Sequence, residues 1–193
     1  MEIEAKVRPK NLSKLRSSLK SAGAVFKGRG LEKNWLFDHP EQALAATDKL
    51  LRLREDIRVS LTFKGPRQNS QFKKREEIEI EFPDTSSARS LLEAVGFIHW
   101  FYYEKFRETW KLGSATIVVD ELPQLGVFVE VEAETDAEVE AVVRKLKLPR
   151  KYISSTYVEL LVESAKQTQK YTGAFRFPPE YESVLGFTDA DSK

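Results

Sequence analysis

Apolar and charged side chains alternate one for one from the first residue, Met1-Glu2-Ile3-Glu4-Ala5-Lys6-Val7-Arg8. Neighbours along a strand point to opposite faces, so Glu2, Glu4, Lys6 and Arg8 share one side and Ile3, Ala5 and Val7 the other. The period returns in Glu77-Ile78-Glu79-Ile80-Glu81 and Glu130-Val131-Glu132, and in basic form in Leu51-Arg52-Leu53-Arg54 and Val59 to Lys64. An ordinary wet strand face would mix Ser, Thr, Gln and Lys, whereas here acids and bases are sorted strand by strand. Between these runs the period changes to that of helices. One is predicted over about 12–22, capped by Asn11 and stopped by Gly23, with Leu12, Leu15, Leu19 and Ala22 as its apolar stripe. A second follows Pro83-Asp84 with Ala88, Leu91, Leu92 and Val95 inward, and Gly96 stops it. A third starts from a capping box of Thr135 with Glu138 and ends by Pro149, and a fourth covers 154–166 through Tyr157, Leu160, Leu161 and Ala165.

Further strand material lies at 72–82, 97–111, 115–121 and 127–133. In 24–38, Val25-Phe26 and Trp35-Leu36-Phe37 read as strand pieces separated by the charged stretch 27–33. With about eight strands, and helices whose apolar faces need a partner, the economical α+β arrangement is an eight-stranded antiparallel β-barrel. It is a tunnel with a charged lumen and helices packed outside, and closing it removes the exposed edges. The alternative is an open antiparallel sheet with its charged face in water. The domain expected is 1–166. The extension 167–193 carries Tyr171, Phe175, Phe177, Tyr181 and Phe187, too aromatic for a plain tail, and packs on the barrel exterior or across a mouth. Trp35, Trp100, Phe101 and Tyr102 read as core, with stacking on a ligand ring as the sharper alternative.

Composition narrows the chemistry. The 193 residues carry 31 basic and 30 acidic side chains, net +1, so there is no polyanion-attracting field and nucleic acid is not expected as a partner. Cysteine is absent, which excludes disulfides, thiol nucleophiles and Cys-ligated metals. Charges at positions 2, 4, 6 and 8 exclude a signal-peptide core, and no run approaches the ~18 apolar residues that span a bilayer. The expectation is a soluble, cytoplasmic protein without a membrane partner; a homodimer is left open.

Carboxylates from Glu2, Glu4, Asp120, Glu130 and Glu132 on one lumen would repel unless neutralised, either by neighbouring bases or by a divalent cation. An all-oxygen set selects hard ions, Mg²⁺ or Mn²⁺. The bases Lys6, Arg52, Arg54, Lys64, Arg75, Lys105 and Arg107 are too many for a monophosphate and suit a polyphosphate chain. Metal plus a cationic cradle is what phosphoryl transfer needs, since its transition state is stabilised chiefly by position and charge. No Gly-rich phosphate loop is present, and His39 and His99 lack ligand spacing.

The motif Glu2-x-Glu4-x-Lys6 resembles the ExExK signature of the CYTH superfamily, the triphosphate tunnel metalloenzymes. Leu-Arg-Leu-Arg (51–54), Thr62-Phe63-Lys64-Gly65-Pro66, Arg75-Glu76-Glu77-Ile78-Glu79, Lys105-x-Arg107 and the Asp120 to Glu132 segment match in family order, over about 1–162. The resemblance implies an eight-stranded tunnel, one or two Mg²⁺ or Mn²⁺ ions and a small-molecule triphosphate such as ATP, thiamine triphosphate or inorganic triphosphate. It assigns Glu2, Glu4, Asp120, Glu130 and Glu132 to metal, with Glu77 and Glu79 as additional acids. The seven bases go to the triphosphate, and Lys105 and Lys6 are the catalytic candidates, Lys105 as an activator of water. The wording is nearest to class IV adenylyl cyclases, which convert ATP to cyclic AMP and pyrophosphate. A triphosphatase is the alternative, and a non-catalytic polyphosphate-binding module the third reading.

Overall fold

The computed structural model describes residues 2–68, 72–168, 173–181 and 183–185, with the side chains of Glu2, Lys73 and Thr168 left out. The alternating segments form β1 (Glu2–Val7), β2 (Val25–Asp38), β3 (Leu50–Glu55), β4 (Val59–Lys64), β5 (Lys73–Arg75), β6 (Glu77–Phe82), β7 (Ile98–Leu112), β8 (Ala115–Leu122) and β9 (Gly126–Ala133). They pair antiparallel in the order β5-β1-β9-β8-β7-β2-β3-β4-β6. The two ends of that list are one piece of chain, since only Glu76 separates β5 from β6. Its first half pairs with β1 and its second with β4. This bent strand closes the sheet into an eight-stranded barrel, so the closed arrangement forms rather than the open sheet.

Outside, α1 (Leu12–Ser21), the short α2 (Ala43–Ala46), α3 (Thr85–Ala94), α4 (Asp136–Lys145) and α5 (Tyr157–Thr168) follow the strands. The expected caps form: the side chains of Asn11 and Asp84 accept from the Lys14 and Ser87 amides, and Thr135 with Glu138 makes a capping box. Leu15 and Leu19 of α1 and Val139, Val142 and Val143 of α4 pack on the outward faces of β1, β8 and β9, against Ile3, Ala5, Val7, Ile117, Val119, Val129 and Val131. Ala88 and Leu92 of α3 pack on Phe37, Leu51 and Leu53. Each fully buried side chain of this size contributes about 1.5–3 kcal/mol.

Three features differ from the expectation. The charged stretch 27–33 does not interrupt a strand, because β2 runs unbroken for 14 residues along β7. Gly28, at φ 139°, absorbs the register shift after Phe26, and the inward charges downstream find partners in the lumen. Helices do not cover every outward face, and Ile78 and Ile80 of β6 remain about half exposed. The fourth helix starts at Tyr157, because Thr156 caps it by accepting from the Glu159 amide.

Tyr171 and Phe187 lie outside the described residues. In the described part of the extension β10 (Ala174–Phe175) runs parallel to β7, and Phe175 is buried against Phe101 in one cluster with Tyr157 and Leu161 of α5. Phe177 lies tilted against Phe106 with ring centroids 4.7 Å apart, and Arg16 and Arg29 donate to the Leu185 carbonyl. Glu121, outward on β8 and buried, accepts 2.5 Å hydrogen bonds from the hydroxyls of Tyr181 and Ser183. Trp35 and Tyr102 pack on each other; His39 lies against Phe97, and His99 against Phe37.

Ser183→Ala withdraws one of the two hydroxyls from the buried Glu121 carboxylate. The expected loss of stability is about 1–3 kcal/mol, read by denaturant unfolding, because a buried charged acceptor is left short of a donor. Unchanged stability would show that the extension is not anchored there.

Candidate functional site

Toward one end of the tunnel the inward positions turn from charged to apolar. Leu36, Phe101, Tyr103, Leu122 and Phe128 form a cluster there with Tyr157, Leu161 and Ala165, so α5 packs across this end. Its first residue reaches deepest. The Tyr157 hydroxyl donates to Asp120 at 3.0 Å, and its ring lies 4.0 Å from the Lys6 ammonium. Lys6 also donates to the Ser155 carbonyl at 3.1 Å. Burial, and then the Asp120 and Glu130 carboxylates, push the Tyr157 phenol far above its ordinary range.

Beyond this plug lies a cavity of about 290 Å³. Its wall carries all seven predicted bases, Lys6, Arg52, Arg54, Lys64, Arg75, Lys105 and Arg107, with Glu4, Glu77, Glu79, Glu130 and Glu132. Glu2 stands opposite Arg75 in register, but its side chain lies outside the described part. Asp120 is fully buried behind the wall.

The charges are matched locally. Register places Lys6 opposite Glu130 and Glu4 opposite Glu132, and the Lys6 ammonium lies 3.2 Å from Glu130 and 3.6 Å from Glu4. Lys64 pairs with Glu77 at 2.5 Å, and Arg54 with Asp56 and Glu79 at 3.4 and 3.6 Å. Arg107 holds Asp120 through two 2.6 Å hydrogen bonds and reaches Glu130 at 3.1 Å. Arg75 is turned to Asp48 at 3.0 Å, and to the carbonyls of Asp48 and Gly65. Arg52 differs. It donates to the Thr62 hydroxyl at 3.5 Å, and among the described residues no carboxylate pairs with it. Burial alone would lower its pKa, but the fields of Tyr103, Glu32 and Glu77 raise it.

Glu32, Asn34 and Tyr157 escaped the sequence reading. Glu32 faces the lumen from β2, 3.1 Å from Lys105 and 3.5 Å from Arg107. Burial alone would raise its pKa, yet Lys105, Arg107, Arg54 and Arg52 hold it down at about 2. Asn34, two positions on, is fully buried, with neither amide atom hydrogen-bonded among the described residues. The signal was present: Glu32, Asn34 and Leu36 alternate with Leu31, Lys33 and Trp35 once 27–33 is read as strand.

The donor set for a metal is mixed. Glu4, Glu130 and Glu132 sit on the adjacent strands β1 and β9 and offer only oxygen, the chemistry of Mg²⁺ or Mn²⁺. Glu4 and Glu130 already close around one cation, the Lys6 ammonium, which shows that this corner accommodates positive charge. Asp120 is engaged by Lys105, Arg107 and Tyr157. Among the described residues no three acidic or histidine side chains converge as an ion would require in this arrangement.

The sequence profile of the CYTH domain matches residues 1–171. The chain belongs to the CYTH domain family. A protein of Methanocaldococcus jannaschii provisionally named an adenylate cyclase is 31% identical to this CYTH domain over 133 residues, 68% of this chain and 76% of the relative. Among solved structures, a Vibrio parahaemolyticus protein provisionally described as an adenylate cyclase superposes with TM-score 0.76 at 24% identity, covering 83% of this chain and 97% of that one. A Hippeastrum protein provisionally called an adenylyl cyclase, and described as having a dominant triphosphatase activity, gives TM-score 0.62 at 20% identity, over 94% and 100% of the two chains. These two likenesses bear on the fold.

The depressed pKa of Glu32 sets a pH dependence. Its folded value lies below the ordinary 4.5, so its contribution to stability is complete above about pH 4.5 and is lost as pH falls toward 2. Denaturant midpoints between about pH 5 and pH 2 should therefore fall less steeply for Glu32→Gln than for wild type. Equal slopes would place Glu32 outside the network of Lys105 and Arg107.

Proposed function

We propose that this CYTH domain is a divalent-metal-dependent enzyme acting on an organic triphosphate, in the first place an adenylyl cyclase. The observation that carries the reading is Arg52. Its guanidinium lines a cavity shared with six other cations, has no carboxylate partner among the described residues, and keeps a buried Nε without a hydrogen bond. An unmet buried donor costs about 1–3 kcal/mol, and a polyphosphate oxygen would remove that cost.

The size and lining of a neighbouring cavity beside α5 favour an organic group on the phosphate chain. A second cavity of about 160 Å³ shares Leu36, Leu50, Arg75, Thr156 and Val158 with the tunnel, and Trp100 and Ala45 extend its wall. The carboxylates suited to the metal are Glu4, Glu130 and Glu132, with Glu2 from the same strand; the ion would supply charge neutralisation for the phosphates. Arg52, Arg54 and Lys64 would align the phosphate chain. Lys105 would enter as a fixed positive charge, because Glu32 and Asp120, each 3.1 Å away, bind its ammonium. In the cyclase reaction the ribose 3′ oxygen bonds to the α-phosphorus and its proton passes to solvent. The bond from the α-phosphorus to the bridging oxygen breaks, and pyrophosphate leaves with that electron pair. Arg107 and Lys105 would stabilise the charge that accumulates there.

The second reading, a triphosphatase, is favoured by the activity described for the Hippeastrum protein, which shares this fold. In either case the proposed setting is the cytoplasm; among the described residues no helix is long and apolar enough to cross a membrane.

Incubation with ATP, thiamine triphosphate and inorganic triphosphate, each with Mg²⁺ or Mn²⁺, tests the proposal when cyclic AMP, pyrophosphate and phosphate are resolved. Cyclic AMP with pyrophosphate from ATP is the expected result, phosphate release alone moves the assignment to triphosphatase, and no turnover with either metal overturns both. Arg52→Ala should lower kcat/KM by about ten- to hundred-fold with the fold intact, the worth of a charge-assisted contact. Wild-type kinetics in that variant would remove Arg52 from the site.

A further inference from the structure

Glu32 stands where an acid works against the proposed substrate. It is buried in the lumen wall, ion-paired to Lys105 and Arg107, and within the field of Arg54 and Arg52. Four of the seven cations offered to the phosphates thus share one protein carboxylate. Asp120 plays a comparable part for Lys105 and Arg107, but Tyr157 ties it to the plug. Glu32 has no such tie. Its Oε2 lies within ion-pair distance of Lys105 yet makes no hydrogen bond among the described residues. Next to it on the same strand face, both amide atoms of Asn34 are buried without a hydrogen bond among the described residues, as are Nε of Arg52 and Nε of Arg54 on the neighbouring strand, the latter 3.4 Å from Asp56. The hydrogen-bonding capacity around Glu32 is therefore incomplete although its charge is compensated. That combination fits a counter-ion that holds cations in place through its field, without locking them in a rigid network.

We infer that Glu32 is a positioning residue: a built-in counter-anion that keeps Lys105 and Arg107 aimed into the tunnel and is the charge against which the phosphates must compete. The inference rests on the triphosphate reading. Removing the negative charge should then have opposite effects on capture and turnover. Binding strengthens, because a buried repulsion against the incoming polyanion is gone. Turnover weakens, because the two cations lose one of the two carboxylates that fix their direction. A residue that merely supported the fold would weaken both.

The test is calorimetric titration of the full chain with inorganic triphosphate, alongside kcat on whichever triphosphate the wild type turns over. Glu32→Gln keeps the shape and should bind inorganic triphosphate about ten-fold more tightly, the effect of one pKa unit's worth of interaction, with kcat reduced about ten-fold. Glu32→Asp retains the charge but withdraws it by one methylene. It should keep wild-type affinity within about two-fold and still lose kcat, and it decides the matter if the Gln variant does not fold. Wild-type binding combined with unchanged or weaker binding by Glu32→Gln, or a Glu32→Asp variant with wild-type kcat, overturns this inference alone. No binding of triphosphate by the wild type overturns it together with the functional reading.

Discussion

Everything in this barrel depends on burying charge in matched amounts. Seven cations and five carboxylates line one cavity, and Glu32 and Asp120 behind the wall bring the acids to seven among the described side chains. Taking ions out of water is expensive, and mutual attraction repays it only where geometry is good. Antiparallel register supplies that geometry: it sets Lys6 opposite Glu130, Lys64 opposite Glu77 and Arg107 opposite Asp120. Lys33, outside the lumen, is likewise set opposite Glu55 by the pairing of β2 with β3. A slip of one residue would turn every inward charge outward and bring the apolar face into the lumen.

Such a lumen cannot be what holds the protein together, because buried ion pairs roughly break even against apolar substitutes. The stabilising burial lies on the other face, where α1, α3 and α4 cover the outward valines, leucines and isoleucines. α5 joins the two regions. Leu161 and Ala165 bury in the apolar end of the tunnel, while Tyr157 reaches the ion network through Asp120 and Lys6. Any shift of this helix therefore reaches the charges on the cavity wall without passing through the strands.

The alternation of single strands revealed a great deal, since it is local: it named all seven bases on the cavity wall and the three Glu-apolar-Glu strands that lead into capped helices. What escaped notice depended on context. Residues 27–33 look like a charged linker because a strand whose two faces both carry charge has no hydrophobic period. Only the partner Lys105 shows that Glu32 belongs inside. Asp120 groups with the metal carboxylates in the sequence because acids crowd one lumen and because the family resemblance assigns it there; that Lys105, Arg107 and Tyr157 donate to it depends on the fold. The plugging role of Tyr157 was invisible for the same reason. Its helical period marks it as apolar face, and nothing local says that the face closes a tunnel.

A neutralised cradle also shapes how a polyanion can be handled. A lumen of bare cations would bind phosphates tightly and release products slowly, and without ligand it would repel itself. With six of the seven cations already facing a carboxylate among the described residues, binding of a polyphosphate would become an exchange of partners, in which phosphate oxygens take over positions that protein carboxylates held. The net gain is the difference between two strong interactions, so affinity stays moderate while the donors remain pre-aimed. Arg52 is where this exchange would have least to displace, since among the described residues it gives up only the Thr62 hydroxyl at 3.5 Å. On the triphosphate reading the first phosphate contact would be at Arg52. The paired bases of the wall would follow as their own carboxylates are released toward one another or toward an added cation.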